Sequence, residues 1–166
     1  MELYILRHGI ATQRQTHHTR RDALRPLTDR GVRKLHRVGR YLHVMEVTLD
    51  LTLTSPLVRA RQTAEIIAGD LACPTVEETS FLEPGGNLEK LCALMARRAR
   101  AARRVMLVGH EPALSTLCSV LLTGEDGLQM VMKKGGLCKL RVDRMTYGRC
   151  ATLQWLISPG LLAGMR

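Results

Sequence analysis

Two hydrophobic periods alternate along the chain, and together they predict its elements. Glu2 to Leu6 is a short apolar run that predicts a buried strand. Gly9 to Leu27 is polar and basic, too polar for core, and predicts a loop. Thr28 then stands as an N-cap. Val32, Leu35, Val38 and Leu42 recur behind it at helical spacing, predicting a helix over about Asp29 to His43. Leu49 to Thr54 alternates apolar and Thr residues like a strand and runs into Ser55-Pro56, which reads as an N-cap followed by a first-turn proline. Leu57, Ala60, Ala64, Ile67 and Leu71 mark the buried face of that second helix. Thr75 to Glu78 predicts a short strand. Asn87 to about Arg103 predicts a third helix, with Leu88, Leu91 and Met95 inward and the arginines outward. Val105 to Val108 is an apolar strand, and Glu111 to Leu122 a helix opened by Pro112. Gly136 to Val142 and Cys150 to Ile157 predict two final strands joined by a turn near Tyr147-Gly148.

Strands alternating with helices imply βαβ units around a largely parallel sheet, with an antiparallel edge from the last two strands. The 166 residues suit one domain with one core. Aromatic residues are only 3% of the chain, so Leu, Val, Ile, Ala and Met must build that core. No apolar run approaches the ~20 residues of a membrane span. Glu2 and Arg7 bracket too short an apolar stretch for a signal peptide, so a soluble, cytoplasmic protein is expected. Five widely spaced cysteines, Cys73, Cys92, Cys118, Cys138 and Cys150, form no Cys-x-x-Cys pair. They read as reduced, mostly buried thiols rather than disulfides or a zinc site.

The net charge of +10 changes this picture, because such a field favours anionic partners. Nucleic acid, phosphorylated protein, polyphosphate and small phosphate esters all fit it. The scarcity of aromatic side chains counts against single-stranded nucleic acid, whose binding relies on stacking platforms.

Three polar clusters each follow directly on a predicted strand: Arg7-His8-Gly9, Ser55-Pro56-Leu57-Val58-Arg59 and Gly109-His110-Glu111-Pro112. Ligands of open α/β sheets bind beyond the carboxyl ends of the strands. Two of the clusters also open helices, whose free N–H groups and positive dipole ends suit a phosphate. Each residue has a plain structural alternative: a strand-end histidine, a solvated arginine, a histidine satisfied by backbone. Their coincidence at one sheet edge is what points to chemistry.

Leu6-Arg7-His8-Gly9 resembles the signature of the histidine phosphatase superfamily, the phosphoglycerate-mutase-like fold. Thr54-Ser-Pro-Leu-Val-Arg-Ala-Arg-Gln-Thr-Ala64 and Val108-Gly-His-Glu-Pro112 resemble its second and third motifs, in the same order. The short chain and Arg25-Pro26-Leu27-Thr28 with Gly31 are similar to the SixA-type phosphohistidine phosphatases. The resemblance implies a three-layer α/β/α sandwich and a single domain over residues 1–166 without a large cap insertion. It also implies a phosphatase that works through a phosphohistidine intermediate, with no cofactor and no metal.

In that family scheme His8 is the nucleophile, neutral and held in one tautomer. Arg7 and Arg59 clamp the phosphoryl oxygens, and His110 completes the cradle as a donor. Gly9 admits a close backbone approach. Ser55 and Glu111 join Arg7, Gly9, Arg59 and His110 as expected substrate-binding residues. Glu83, in Phe81-Leu82-Glu83-Pro84-Gly85-Gly86, is the candidate general acid, with Glu77 and Glu78 as alternatives.

The expected partner is a phosphohistidine-carrying protein, entering a site with no cap; no membrane partner is expected. A small-molecule or polyphosphate phosphatase with the same pocket is the nearest alternative. A non-catalytic nucleic-acid or anion-binding module is the alternative from another class. Arg14, His17, His18, Arg20, Arg21 and Arg25 crowd the loop after His8 and read either as a solvated loop or as a cationic rim. Arg97, Arg98, Arg100, Arg103 and Arg104 read as an exposed helix face, with an anion-docking surface as the sharper alternative.

Overall fold

A computed structural model describes residues 1–13 and 22–162. Strands β1 (Glu2–Arg7), β2 (Leu51–Thr54), β3 (Val76–Glu78), β4 (Arg104–Gly109), β5 (Leu137–Val142) and β6 (Ala151–Ile157) form one sheet in the order β3-β2-β4-β1-β5-β6. The first four strands pair in parallel, while β5 pairs antiparallel with both β1 and β6. The antiparallel edge expected from the sequence is therefore present.

The helices are α1 (Asp29–Val44), α2 (Val58–Asp70), α3 (Leu88–Arg98), α4 (Ala113–Thr123) and a short α5 (Pro159–Leu162). Side chains alternate across a strand, so each strand feeds both faces of the sheet. Leu3, Ile5, Leu53, Val105 and Leu107 pack with Leu91 and Met95 of α3 and Leu114 and Leu117 of α4. Tyr4, Leu6, Met106 and Val108 pack with Leu35, Val38 and Leu42 of α1 and Ala60, Ala64 and Ile67 of α2. The result is a three-layer α/β/α sandwich. Cys92, Cys118 and Cys138 are buried, and all five thiols are free. No helix among the described residues is long and apolar enough to cross a membrane.

Helix boundaries differ from the local reading where a distant group claims the backbone. Helix α3 ends at Arg98 because the Asp50 carboxylate accepts the amides of Arg103 and Arg104, each at 2.8 Å, which starts β4. Helix α2 starts at Val58 with no side-chain cap, leaving Ser55-Pro56 in the turn before it. Helix α4 starts at Ala113, two residues later than its sequence pattern suggests. The loop after His8 is also less polar in practice: Ala11 and Leu27 are buried and form an antiparallel bridge. Arg14, His17, His18, Arg20 and Arg21 lie outside the described residues. Arg25 donates to the Thr12 carbonyl at 2.8 Å and pairs with Asp22 at 2.9 Å, so it braces this loop.

Thr28 does more than cap α1. Its side chain accepts from the Gly31 amide at 3.1 Å, and its own amide donates to the Ile10 carbonyl at 2.8 Å, two residues beyond His8. Gly31 sits directly on that Ile10 carbonyl, where a Cβ would collide with backbone. Glycine in a helix interior is ordinarily a weakness relative to alanine. Here the sign reverses: Gly31→Ala is expected to destabilise the fold by about 1–3 kcal/mol in urea unfolding, and a stabilised variant would contradict this contact.

Candidate active site

The parallel register of three neighbouring strands assembles the site. Arg7 of β1 lies opposite Gly109 of β4, and Thr54 of β2 opposite Val108. The next residues continue the ladder: the His8 amide donates to Gly109 O at 3.1 Å and the Ser55 amide to Val108 O at 3.0 Å. His8, Ser55 and His110 thus meet at one sheet edge. The ring centroids of His8 and His110 are 5.0 Å apart. Helix α2 brings in Arg59 from its first turn. His8, Arg59 and His110 are 6%, 4% and 3% exposed, an unusual burial for such polar side chains.

His8 is held by its own neighbour. Its Nδ1–H donates to the Gly9 carbonyl at 2.7 Å, which leaves the Nε2 lone pair uncommitted. Burial pushes its pKa down to about 4; the Gly9 hydrogen bond opposes this, and the positive charges of Arg59 and Arg7 add to it. Burial likewise pushes His110 down to about 3, helped by His8 and Arg59. Both rings are therefore neutral at pH 7.

His110 Nε2 lies 2.9 Å from Ser55 Oγ, which also accepts from the Leu57 amide at 3.3 Å. When the Ser55 hydroxyl donates to Nε2, the His110 ring proton stands on Nδ1. His110 Nδ1 is buried with no partner among the described residues, and so is Arg7 Nε. Buried polar atoms left unmatched are costly, and an oxyanion would satisfy such donors. Arg7 Nη1 donates to Met132 O at 2.7 Å, which pins that side chain to the strand end.

Arg59 reaches Asp22, donating from Nη1 to its carbonyl at 2.9 Å and from Nη2 to its carboxylate at 3.3 Å. Thr63 ties α2 to the His8 loop: its hydroxyl accepts from the Gly9 amide at 3.0 Å and donates to Arg59 O at 2.6 Å. Gln62 Oε1 accepts from the Leu27 amide at 2.8 Å. Asp22, Gln62 and Thr63 are not among the site residues expected from the sequence. Gln62 and Thr63 carried a signal nonetheless, since they lie three and four residues after Arg59 on the same helix face.

The remaining expected residues are placed as follows. Gly9 is crowded by core rather than by open site: a Cβ there would stand 2.8 Å from Leu35 Cδ1 and 3.1 Å from Leu27 Cδ2. Glu111 Oε1 accepts from the Ser115 amide at 3.1 Å, so this carboxylate serves the first turn of α4. Glu83 follows a 3₁₀ turn, Ser80–Leu82, and is half-buried. The Leu82 carbonyl just before it packs against Gly109, the residue preceding His110. The Glu83 carboxylate forms no hydrogen bond or ion pair among the described residues. Glu77 and Glu78 are committed to Arg98 at 2.6 Å and Arg61 at 3.7 Å.

With this geometry in place, the comparisons with known proteins are specific. The family model described as histidine phosphatase superfamily (branch 1) matches residues 3–91. An uncharacterised protein of Picosynechococcus is 37% identical over 142 residues, 85% of each chain. The phosphohistidine phosphatase SixA of Escherichia coli is 27% identical over 161 residues, covering 96% of this chain and 94% of that one. A solved structure of the protein histidine phosphatase SixA complexed with tungstate superposes with a TM-score of 0.85 at 26% identity, covering 98% and 99% of the two chains.

The depressed histidines have a consequence for stability. Both folded pKa values lie below the ordinary 6.5, so the unfolded chain binds protons that the folded site refuses. Stability from the neutral pair is fully present above pH 6.5 and is lost as pH falls from there towards about 4. Melting temperature is expected to drop between pH 6.5 and 5, before carboxylates titrate, and to drop less in His8→Asn. A flat profile in the unmutated protein would contradict the neutral assignment.

Proposed function

This chain belongs to the histidine phosphatase superfamily and is a phosphatase, and from that premise we propose that it removes phosphate from phosphohistidine on a protein partner, with His8 as the nucleophile. One observation carries the reading: the Nδ1–Gly9 hydrogen bond leaves a neutral, buried His8 with its Nε2 lone pair free. That is the state an imidazole needs in order to attack phosphorus.

The cycle has two in-line displacements. First, His8 Nε2 bonds to phosphorus as the P–N bond of the substrate breaks, and the departing imidazole keeps its electron pair and takes a proton from solvent, which the attacking water returns to solvent in the second step. Then water attacks phosphorus, the P–Nε2 bond breaks, and orthophosphate leaves with neutral His8 restored. Arg7 and Arg59 hold the three peripheral oxygens, and His110 donates from Nδ1, the atom that otherwise has no partner. Ser55 sets the His110 tautomer, and Thr63 keeps the His8 loop against α2. Asp22 orients Arg59 through both of its Nη groups. Gly9 serves the site through packing, by letting the His8 loop lie on Leu35. Glu111 shapes the adjoining turn rather than touching phosphate.

Two facts support a phosphohistidine protein as substrate. The similar Escherichia coli protein is a phosphohistidine phosphatase, and the superposed SixA structure holds tungstate, a tetrahedral oxyanion like phosphate. Both matches extend over nearly the whole of each chain, consistent with one domain lacking a large cap, so a folded partner can approach the strand ends.

His8→Ala is expected to keep the fold, by circular dichroism, and to lose hydrolysis of every phosphate compound by on the order of 10³-fold or more. Activity surviving that substitution would show the nucleophile to be elsewhere. In a panel of phosphohistidine protein, sugar phosphates, nucleotides and polyphosphate compared by kcat/KM, the phosphohistidine protein is expected to lead. Equal slow rates across the panel would remove the substrate assignment. Glu83 is proposed as the acid for ester substrates only, since an alkoxide needs a proton more than an imidazole does. Glu83→Gln is expected to slow hydrolysis of an alkyl phosphate monoester by about 10²-fold but phosphoramidate hydrolysis by less than about fivefold. Equal effects on both substrates would argue against that role.

A further inference from the structure

Helix α1 starts at the site edge, where Thr28 and Gly31 rest on Ile10, and runs towards the opposite edge of the sheet. Its buried face is Gly31, Leu35, Val38, Gly39 and Leu42. Its outer face carries Arg30, Arg33, Lys34, Arg37 and Arg40. At 100° per residue these five fall within an arc of about 120°, and from the first to the last they span about 15 Å. None of the five forms an ion pair with a described residue. Many are three or four positions apart, where like charges repel and weaken a helix. Some exposed arginines elsewhere are neutralised, Arg61 by Glu65 and Glu78, Arg98 by Glu77 and Arg104 by Asp50. Arg97, Arg100 and Arg103 also form no ion pair with a described residue, and they differ from the α1 stripe in lying at the far edge.

The stripe has a continuation at the mouth of the site. Lys133 and Lys134 are exposed, and the next residue, Gly135, donates its amide to the carbonyls of Arg7 and His8 at 3.0 and 3.1 Å. Gly135 also faces Leu35 of α1, so this turn and the stripe share one side of the sheet. By contrast, Arg97, Arg98, Arg100, Arg103 and Arg104 lie at the amino end of β4. The site is at its carboxyl end, about 17 Å away along the strand.

We propose that Lys133, Lys134 and the cationic face of α1 form a docking track for an acidic segment of the phosphorylated protein, leading its phosphohistidine into the site. The proposal rests on the phosphatase reading above and adds the chemistry of the partner's surface. Exposed charges of this kind act mainly on encounter and partner choice, and their effect falls as salt rises.

The test uses synthetic phosphohistidine peptides carrying a run of Glu, placed at several offsets from the phosphohistidine, against matched peptides with Gln. In low salt the Glu peptide is expected to be hydrolysed with a kcat/KM about 5- to 30-fold higher. The preference should vanish in Arg33→Gln/Arg37→Gln/Arg40→Gln, which relieves repulsion within α1, while hydrolysis of acetyl phosphate stays unchanged. The control Arg97→Gln/Arg100→Gln/Arg103→Gln removes the same charge at the far edge and should keep the preference. Fluorescence anisotropy with the unphosphorylated Glu peptide reads the track without chemistry. Weaker binding in the α1 variant alone supports it even if neither phosphopeptide is cleaved, an outcome that would instead sink the phosphohistidine reading. Equal losses in both variants, or a preference that survives in the α1 variant, would overturn the track. Tighter α1-dependent binding of duplex DNA than of the Glu peptide would overturn it in favour of nucleic acid.

Discussion

The parallel pairing of β2, β4 and β1 in one register is the constraint on which everything else depends. It makes three strands stop together, so that His8, Ser55 and His110, which are 47 to 102 positions apart in the chain, become neighbours. Main-chain hydrogen bonds extend the ladder one residue past each strand, and they hold the His8 and Ser55 backbones before any side chain contributes. A shift of one residue in either pairing would turn the strand-end side chains to the opposite face and separate the histidines.

Burial then decides the charge state of what the strands assemble. Burial and two neighbouring guanidiniums both disfavour protonated imidazole, so both histidines are neutral at neutral pH and the arginines carry the positive charge of the pair-and-clamp arrangement. The outcome is a positive pocket with a free ring nitrogen, suited to an anion that reacts with a neutral nucleophile. The same arrangement leaves His110 Nδ1 and Arg7 Nε buried without a hydrogen-bond partner among the described residues. Its polar groups are arranged for a guest more than for the resting fold, a common trade in sites organised for charge stabilisation.

The basic charge of the chain is not spread evenly. Asp22, Glu65 and Glu78 neutralise arginines around the loop after His8 and on α2, and Asp50 and Glu77 neutralise two at the far edge, whereas the five cations on the outer face of α1 form no ion pair with a described residue. The helix that contributes Leu35 to the packing under Gly9 also carries five cations on its outer face. Fold and electrostatic field therefore meet in one element.

The elements and the strand-end chemistry were legible in the sequence because both are local. Periods of two and of three to four residues mark strands and helices, and Arg7-His8-Gly9, Ser55 to Arg59 and Gly109-His110 sit where those periods change. What the sequence could not reveal is which backbone groups distant residues would claim. Asp50 ends α3 early by taking the Arg103 and Arg104 amides, which lie 53 and 54 positions away. Thr63 holds the Gly9 amide across 54 positions, Asp22 meets Arg59 across 37, and Leu35 packs closely against Gly9. Such contacts depend on how whole elements lie against one another, a property of the packed sheet and helices that no local window of the chain contains.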